Sequence, residues 1–179
     1  MLTEVSAPGD DFLAGVCEQW EEAAAPVASA GIRLVTIRTG IVLGPAGGVL
    51  KQLLLPFRLG LGGRVASGGQ WMSWIAIDDE IGAILHALRT DSLSGPVNLT
   101  APNPVTNARL TATLAHVVRR PSKLPTPLLP LRAIFGRELV DTLLVEGQRA
   151  LPKALEASGY DFTYPTLEPA LRGVLDRVG

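Results

Sequence analysis

Cysteine and histidine are scarce in this sequence of 179 residues. The single cysteine, Cys17, excludes an internal disulfide and a cysteine-based zinc site, and we expect it to lie in the core. The two histidines, His86 and His116, lie in predicted helices and have no Cys or His neighbour at ligand spacing. The sequence therefore predicts no metal site.

An excess of charge of one sign and long apolar runs are also absent. The formal net charge of -1, with acidic and basic residues interspersed, gives no electrostatic signature of nucleic-acid or anionic-membrane binding. The apolar runs fall short of the ~18 residues that span a bilayer, and the N-terminal residues lack the basic and apolar regions of a secretory signal. We expect a cytoplasmic protein with neither nucleic acid nor a membrane as partner.

A glycine-containing polar turn follows a predicted β-branched strand, Ile32–Ile37. The turn, Arg38–Pro45, stands where an open α/β sheet meets its ligand. No Gly-x-Gly-x-x-Gly or Gly-x-x-Gly-x-x-Gly lies between a strand and a helix, so the dinucleotide-binding half that would accompany such a turn is absent from the sequence. We expect the chain to be the second half of an enzyme.

The hydrophobic periodicity predicts alternating helices and strands, and hence an α/β fold. The content of 47% apolar and 18% charged residues is ordinary for a packed globular interior. The predicted elements are a helix over 11–25 capped by Asp10 or Asp11 and kinked or ended by Pro26, the strand Ile32–Ile37, a short helix over 49–54 stopped near Pro56, a glycine-rich loop over a ligand cleft at 60–69, a short aromatic strand over 71–77, a helix capped by Asp78, a strand over 95–100 and a helix starting at Thr106 or Asn107.

The composition changes at Pro121, where four prolines fall within ten residues. We predict a domain boundary there, with residues 1–120 forming the sheet-containing part and 121–179 a small, mostly helical domain. Apolar residues share helical faces in this second part. They are Leu139, Val140, Leu143 and Leu144 on one face, and Leu167, Ala170, Leu171, Val174 and Leu175 on another.

Six runs together resemble the C-terminal part of the epimerase-like branch of the extended short-chain dehydrogenase/reductase superfamily. They cover nearly the whole chain, and their combination is specific where no single motif would be. The runs are Trp20-Glu-Glu-Ala-Ala, Arg38-Thr-Gly-Ile-Val-Leu-Gly, Leu55-Pro-Phe-Arg-Leu-Gly-Leu-Gly-Gly63, Ser73-Trp-Ile-Ala-Ile-Asp-Asp79, Ala101-Pro-Asn-Pro-Val-Thr-Asn107 and Glu146-Gly-Gln-Arg-Ala-Leu-Pro152.

The resemblance implies the C-terminal portion of a Rossmann-type NAD(P)-binding fold, followed by the small C-terminal domain of unknown function that marks this branch. It implies NADP as cofactor of an intact protein, a nucleotide-linked or other small substrate, and a possible homodimer through the helix over 11–25. The family's catalytic Tyr-x-x-x-Lys pair falls on Leu13 and Cys17. Leucine cannot act as a general base, so the catalytic residues stay unknown.

The resemblance also implies roles for two groups of residues. Arg38, Thr39, Gly40, Ile41 and Val42 would contact the nicotinamide carboxamide, the alternative being a purely structural turn at a strand end. Arg58, Arg64, Gln70 and Trp71 flank the glycine-rich loop and would hold a phosphate or sugar-nucleotide group, although solvated surface positions explain the arginines almost as well.

Further side chains are interpreted as structural. Asp78 and Asp79 fit a helix cap with a first-turn carboxylate better than a metal or acid/base pair, and Tyr160 and Tyr164 fit packing positions.

Three functional hypotheses remain. The leading one is the C-terminal portion of an NADP-linked sugar-nucleotide epimerase-like protein that is not catalytically competent alone. The alternatives are a cofactor-sensing protein without redox chemistry and a protein-interaction module.

Overall fold

The computed structural model describes residues 1–45, 47–122 and 147–177. These residues form six helices and six strands. In chain order they are α1 (Phe12–Ser29), β1 (Val35–Thr39), β2 (Ile41–Leu43), α2 (Gly48–Arg58), β3 (Trp71–Met72), β4 (Trp74–Ala76), α3 (Ile77–Arg89), β5 (Gly95–Leu99), β6 (Val105–Thr106), α4 (Asn107–Val117), α5 (Lys153–Ala157) and α6 (Leu167–Leu175). The predicted face of Leu139, Val140, Leu143 and Leu144 lies outside the described residues.

The strands pair in three ladders, two of them parallel. β1 pairs with β5 from Val35 opposite Gly95 to Thr39 opposite Leu99, and β2 pairs with β4 from Ile41 opposite Trp74 to Leu43 opposite Ala76. β3 and β6 form a short antiparallel ladder. The parallel pairs, connected through helices, confirm the α/β prediction.

A first hydrophobic cluster lies between the β2–β4 pair and helices α2, α4 and α6. Trp74 is fully buried in it, as are Leu114 of α4 and Leu171 of α6. A second cluster joins α3 and β5 to α5 through Ala83, Val97 and Leu155. The described residues after Pro121 therefore share both clusters with the sheet-containing part. The division of the chain at residue 121 stays a prediction.

Some predicted elements and several predicted boundaries are wrong. The predicted turn Arg38–Pro45 contains the end of β1 and the whole of β2, and the predicted strand over 71–77 is divided at Ser73 into β3 and β4. β1 begins at Val35 and not at Ile32, because Arg33 extends to the carboxyl end of α3 and donates to the carbonyls of Ala87 and Leu93 at 2.9 and 3.0 Å. Asp78 does not cap α3, which begins at Ile77 with Ala76 at the N-cap.

Prolines lie inside two helices that continue past them. α1 runs three residues beyond Pro26 to Ser29, and α2 runs beyond Pro56 to Arg58. Each proline stands in the last turn, where its missing N–H affects one bond and the carbonyl of an exposed residue four positions earlier can be solvated.

Cys17 was expected in the core and is exposed. It lies on α1, which buries none of its residues within the described structure. Asp11 does cap this helix, as predicted, by accepting from the Ala14 N–H at 2.8 Å. The N-terminal cap follows from local sequence, whereas burial of Cys17 depends on a neighbour that would have to cover this face.

Candidate functional site at the Gly40 junction

The chain changes its strand partner at Gly40. The N–H of Gly40 donates to the Leu99 carbonyl of β5 at 3.0 Å, and the next N–H, of Ile41, donates to the Ser73 carbonyl just before β4 at 2.8 Å. Ala101, two residues past β5, donates to the Trp74 carbonyl at 2.6 Å. The carboxyl ends of β1 and β5 therefore meet the start of the β2–β4 pair, at the position where open α/β sheets bind ligands.

Glycine at position 40 is required by the neighbouring strands. A Cβ built there would lie 2.7 Å from the Ser73 carbonyl oxygen and 2.9 Å from Cγ2 of Thr100. Because Ser73 presents backbone at this point, the contact cannot be relieved by rotating a side chain. The close approach that explains Gly40 is thus between strands, and a Gly40→Ala variant would disturb the sheet whether or not a ligand binds beside it.

The side chain of Arg38 ties β1 to α1. Its Nε and Nη2 donate to the two carboxylate oxygens of Glu21 at 2.6 and 2.7 Å, and Nη1 donates to the Glu4 carbonyl at 3.3 Å. The hydrogen bond from Arg38 lowers the pKa of Glu21, and Glu21 in turn raises the pKa of Arg38. With its guanidinium engaged in this way, any ligand contact at Arg38 falls to the backbone.

The next residue, Thr39, contacts a carboxyl group that the sequence analysis missed as a site residue. Its hydroxyl donates to Oε1 of Glu80 at 3.0 Å. Glu80 is 8% exposed, and burial raises the pKa of its carboxyl group. Its Oε2 has no hydrogen-bond partner in the described structure. A signal was present, because Glu80 shares the buried face of α3 with Ala83 and Ala87.

Two predicted substrate residues, Gln70 and Trp71, lie just before Ser73 in the chain. Gln70 is buried, with its Nε2 donating to the Val65 carbonyl at 3.0 Å and its own carbonyl accepting from the Asn107 N–H at 2.9 Å. Trp71 pairs with Thr106 in the β3–β6 ladder, and one residue separates it from Ser73, whose carbonyl accepts from the Ile41 N–H. Ser73 is therefore the link between this segment and the predicted cofactor residues.

The arginines predicted for the same role are placed differently. Arg58 is exposed at the end of α2, and its carbonyl accepts from Nε of Arg120 at 2.9 Å. Arg64 is exposed, and its Cδ lies 3.3 Å from where a Cβ of Gly68 would be. The structure gives neither arginine a contact with the Gly40 junction.

The glycine-rich stretch over 60–69 is a loop, as predicted, but the contacts it shows are with helices. The Gly68 carbonyl accepts from the Ala108 N–H at 2.8 Å, and the Val65 N–H donates to Oδ1 of Asn107 at 2.9 Å. Phe57 of α2 lies against Gly62. The described grooves of about 490 and 570 Å³ lie elsewhere, beside α4 and α6, and no predicted site residue lines them.

The acidic pair at the start of α3 is structural, through partners other than those predicted. Asp79 is fully buried and accepts from the N–H groups of Thr163 and Tyr164 at 2.7 and 2.9 Å and from the Tyr160 hydroxyl at 3.3 Å. Burial raises the pKa of Tyr160, in keeping with its packing position. Asp78 pairs with Arg177 through two contacts of 2.8 and 2.7 Å.

Similarity to known proteins defines the class of this fold. The structure of human epimerase family protein SDR39U1 (isoform 2) with NADPH matches 98% of this chain with a TM-score of 0.91 and 39% identity, over 59% of its own chain. The structure of the nucleoside-diphosphate sugar epimerase from Corynebacterium glutamicum matches 97% of this chain with a TM-score of 0.79 and 37% identity, over 33% of its own length. The fold is that of the C-terminal part of a Rossmann-type epimerase.

Sequence similarity leads to the same family. An epimerase family protein of Mycobacterium bovis is 45% identical over the whole chain, and the chain covers 59% of that relative. A model of a domain of unknown function, DUF1731, matches residues 126–174. The chain is similar over nearly its whole length to the C-terminal part of epimerase family proteins, and it spans about three-fifths of the length of these relatives.

Among the described residues there is neither a membrane-spanning helix nor a metal-binding cluster. None of their helices is both long and apolar enough to cross a bilayer. Nor do these residues bring together three or more His, Cys, Asp or Glu side chains that could hold a metal ion.

Proposed function

We propose that this chain forms the nicotinamide-side and substrate-side part of an NADP(H)-linked, epimerase-like protein that acts on a sugar nucleotide or another small nucleotide-linked substrate. The observation that carries the proposal is the meeting of strand ends at Gly40, which Arg38–Val42 spans. The human relative solved with NADPH has this fold over nearly the whole chain.

The groups at the junction suit the nicotinamide end of such a cofactor. Thr39 and Glu80 place a buried carboxyl oxygen, without a partner in the described structure, next to the turn. A buried polar atom of this kind is satisfied by an amide or hydroxyl group of a ligand. The nicotinamide, when bound, supplies hydride transfer. Thr39, whose hydroxyl contacts Glu80, would orient its carboxamide.

Catalysis needs more than the described residues offer. Leu13 stands where the family's catalytic tyrosine is expected, and its side chain has no proton to exchange. The sequence also lacks a phosphate-binding loop, whose helix N-terminus and backbone amides normally hold the pyrophosphate. We therefore expect the chain alone to bind NADPH weakly or not at all and to catalyse no redox reaction.

The test compares this chain with a chimera that joins it to the N-terminal part of the M. bovis relative, the part that the chain does not cover. Titration calorimetry with NADPH should give at least tenfold tighter binding for the chimera, equivalent to about 1.4 kcal/mol. Thr39→Val in the chimera should weaken that binding, whereas Thr36→Val, in the same strand, should not. Low-micromolar binding by the chain alone, or equal affinity of both variants, would contradict the proposal.

One observation favours a protein-interaction role instead. Phe12 and Trp20 of α1 are 77% and 73% exposed, and Leu88 of α3 is 68% exposed. A second copy of the chain packed on α1 would bury the first two. Light scattering of the wild type and of Trp20→Glu tests this. A dimer that Trp20→Glu converts to monomer favours the interaction surface, and a wild-type monomer at high concentration argues against it.

A further inference from the structure

The segment over residues 147–151, which we call the strap, crosses β3 beside the Gly40 junction. Ser73 holds it from one side, since its hydroxyl donates to the Gln148 carbonyl at 2.7 Å and accepts from the Ala150 N–H at 2.9 Å. Leu2 holds it from the other, accepting from the Leu151 N–H at 3.0 Å and donating to the Arg149 carbonyl at 2.7 Å. The backbone on both sides of Arg149 is therefore fixed.

The strap lies directly on the backbone of Trp71. A Cβ at Gly147 would overlap the Trp71 main chain, so glycine allows the approach. Two residues later, the guanidinium carbon of Arg149 lies 4.4 Å from the centroid of the Trp71 ring. Stacking of this kind holds an arginine by a cation–π contact and leaves its N–H groups pointing outward from the ring edge.

The charge of Arg149 has no ion-pair partner among the described residues. The residue is exposed, and no carboxylate in the described structure forms an ion pair with it. Arg38, by contrast, has both carboxylate oxygens of Glu21 as partners. A guanidinium that lies over an aromatic ring on a fixed backbone, with no ion pair among the described residues, is preorganised to bind two oxygens of one anion.

We propose that Arg149, stacked on Trp71, binds a phosphoryl group of the substrate. The proposal rests on the proposed function in one respect only, which is that the side chains of Gln70 and Trp71 face the substrate. The strap also contacts Ser73, whose carbonyl bonds Ile41 at the junction, so the phosphoryl group would lie on the substrate side of the nicotinamide contact. Arg149 is a binding residue that the sequence analysis left unassigned.

The test is a titration of the full chain with inorganic pyrophosphate in low-salt buffer. Nuclear magnetic resonance monitors it through the Trp71 indole N–H and the Arg149 Nε–H signals. Both should shift together in the wild type. Arg149→Gln should weaken binding at least tenfold, and Arg149→Lys less, because lysine keeps the charge but not the planar fork. The matched control is Arg89→Gln, which removes the same charge from an exposed arginine on α3 and should leave binding unchanged.

Two further measurements keep the outcome unambiguous. Melting temperatures identify a variant that fails to fold, and Trp71→Leu, which keeps Arg149 but removes its platform, should also weaken pyrophosphate binding. Malonate, a dicarboxylate, should bind more weakly than pyrophosphate. Equal binding by wild type and Arg149→Gln, equal losses in Arg89→Gln, or a preference for malonate would overturn the proposal. Since these titrations contain no cofactor, a failure of the NADPH proposal would leave their result interpretable.

Discussion

The sequence predicts an apolar stripe on α1 and on α6, but the two helices have opposite surroundings. α6 buries Leu167, Ala170, Leu171 and Val174 in nine residues, whereas α1 buries none in eighteen. Leu171 is 0% exposed and Trp20 is 73% exposed. An amphipathic pattern thus indicates that a helix needs a partner without indicating which one. For α6 the partners are α4 and the β2–β4 pair, and for α1 the described residues supply none that buries it.

The two ends of the chain are also anchored differently. The loop before α6 is held by a fully buried carboxylate, Asp79, which accepts from consecutive backbone N–H groups at Thr163 and Tyr164. α1 is held to β1 by the ion pair of Arg38 and Glu21, whose side chains are 38% and 32% exposed. Buried hydrogen bonds are costly to leave unmade, while exposed ion pairs contribute little.

The largest contrast is expected from a matched pair of leucine truncations. Leu171→Ala removes buried side-chain atoms from the first cluster and should lower the free energy of unfolding by about 3 kcal/mol. Leu13→Ala, at a position 44% exposed, should change it by less than about 1 kcal/mol. Urea unfolding followed by circular dichroism measures both. A loss for Leu13→Ala as large as that for Leu171→Ala would mean that α1 is packed in solution.

A smaller effect is expected at the anchor of the C-terminal loop. Asp79→Ala leaves two backbone N–H groups without their acceptor and should lower the free energy of unfolding by about 2 kcal/mol. Asp78→Ala, its neighbour, removes a pairing with Arg177 at the surface and should have a much smaller effect. Thermal unfolding of the two variants makes the comparison. Equal destabilisation would show that the loop is not held chiefly by Asp79.

The smallest effect is expected at the anchor of α1. A double-mutant cycle with Glu21→Gln and Arg38→Gln should give a coupling free energy below about 1 kcal/mol, because the pair is partly exposed. The coupling free energy should fall further in 0.5 M NaCl, because salt at about this concentration strongly screens exposed charges. Urea unfolding of the four proteins measures it. A coupling well above this value that salt does not reduce would show that α1 is held more firmly than its exposure indicates.

Local patterns predicted local structure well. The strand over 95–100 was predicted to within one residue. Its apolar residues indicate a strand, and Gly95 and Pro102 mark where it begins and ends. Helix α4 begins at Asn107, one of the two predicted starts, and Thr106 caps it by accepting from the Arg109 N–H at 3.3 Å. The apolar stripe of α6 is confirmed as well. Each of these features depends on residues within one or two helical turns or one strand length.

The candidate site was predicted only in part, because its contacts are long-range. Thr39 and Glu80 are 41 residues apart, and Trp71 and Arg149 are 78 apart. The sequence therefore provided no indication of a binding role for Glu80 or Arg149. The binding roles of Arg38–Val42, Arg58, Arg64, Gln70 and Trp71 stay predictions.

By itself the sequence determined the α/β fold class, the positions of helices such as α1 and α4 and the resemblance to the epimerase-like proteins, since periodicity, capping residues and motifs are written along the chain. Only the tertiary structure decided what each polar and exposed group does. In the folded chain the Arg38 side chain bonds Glu21, and the Ser73 carbonyl leaves no room for a Cβ at Gly40. The guanidinium of Arg149 lies over the ring of Trp71. These outcomes depend on which distant segments become neighbours, and one segment's pattern contains no information about the residue it will meet.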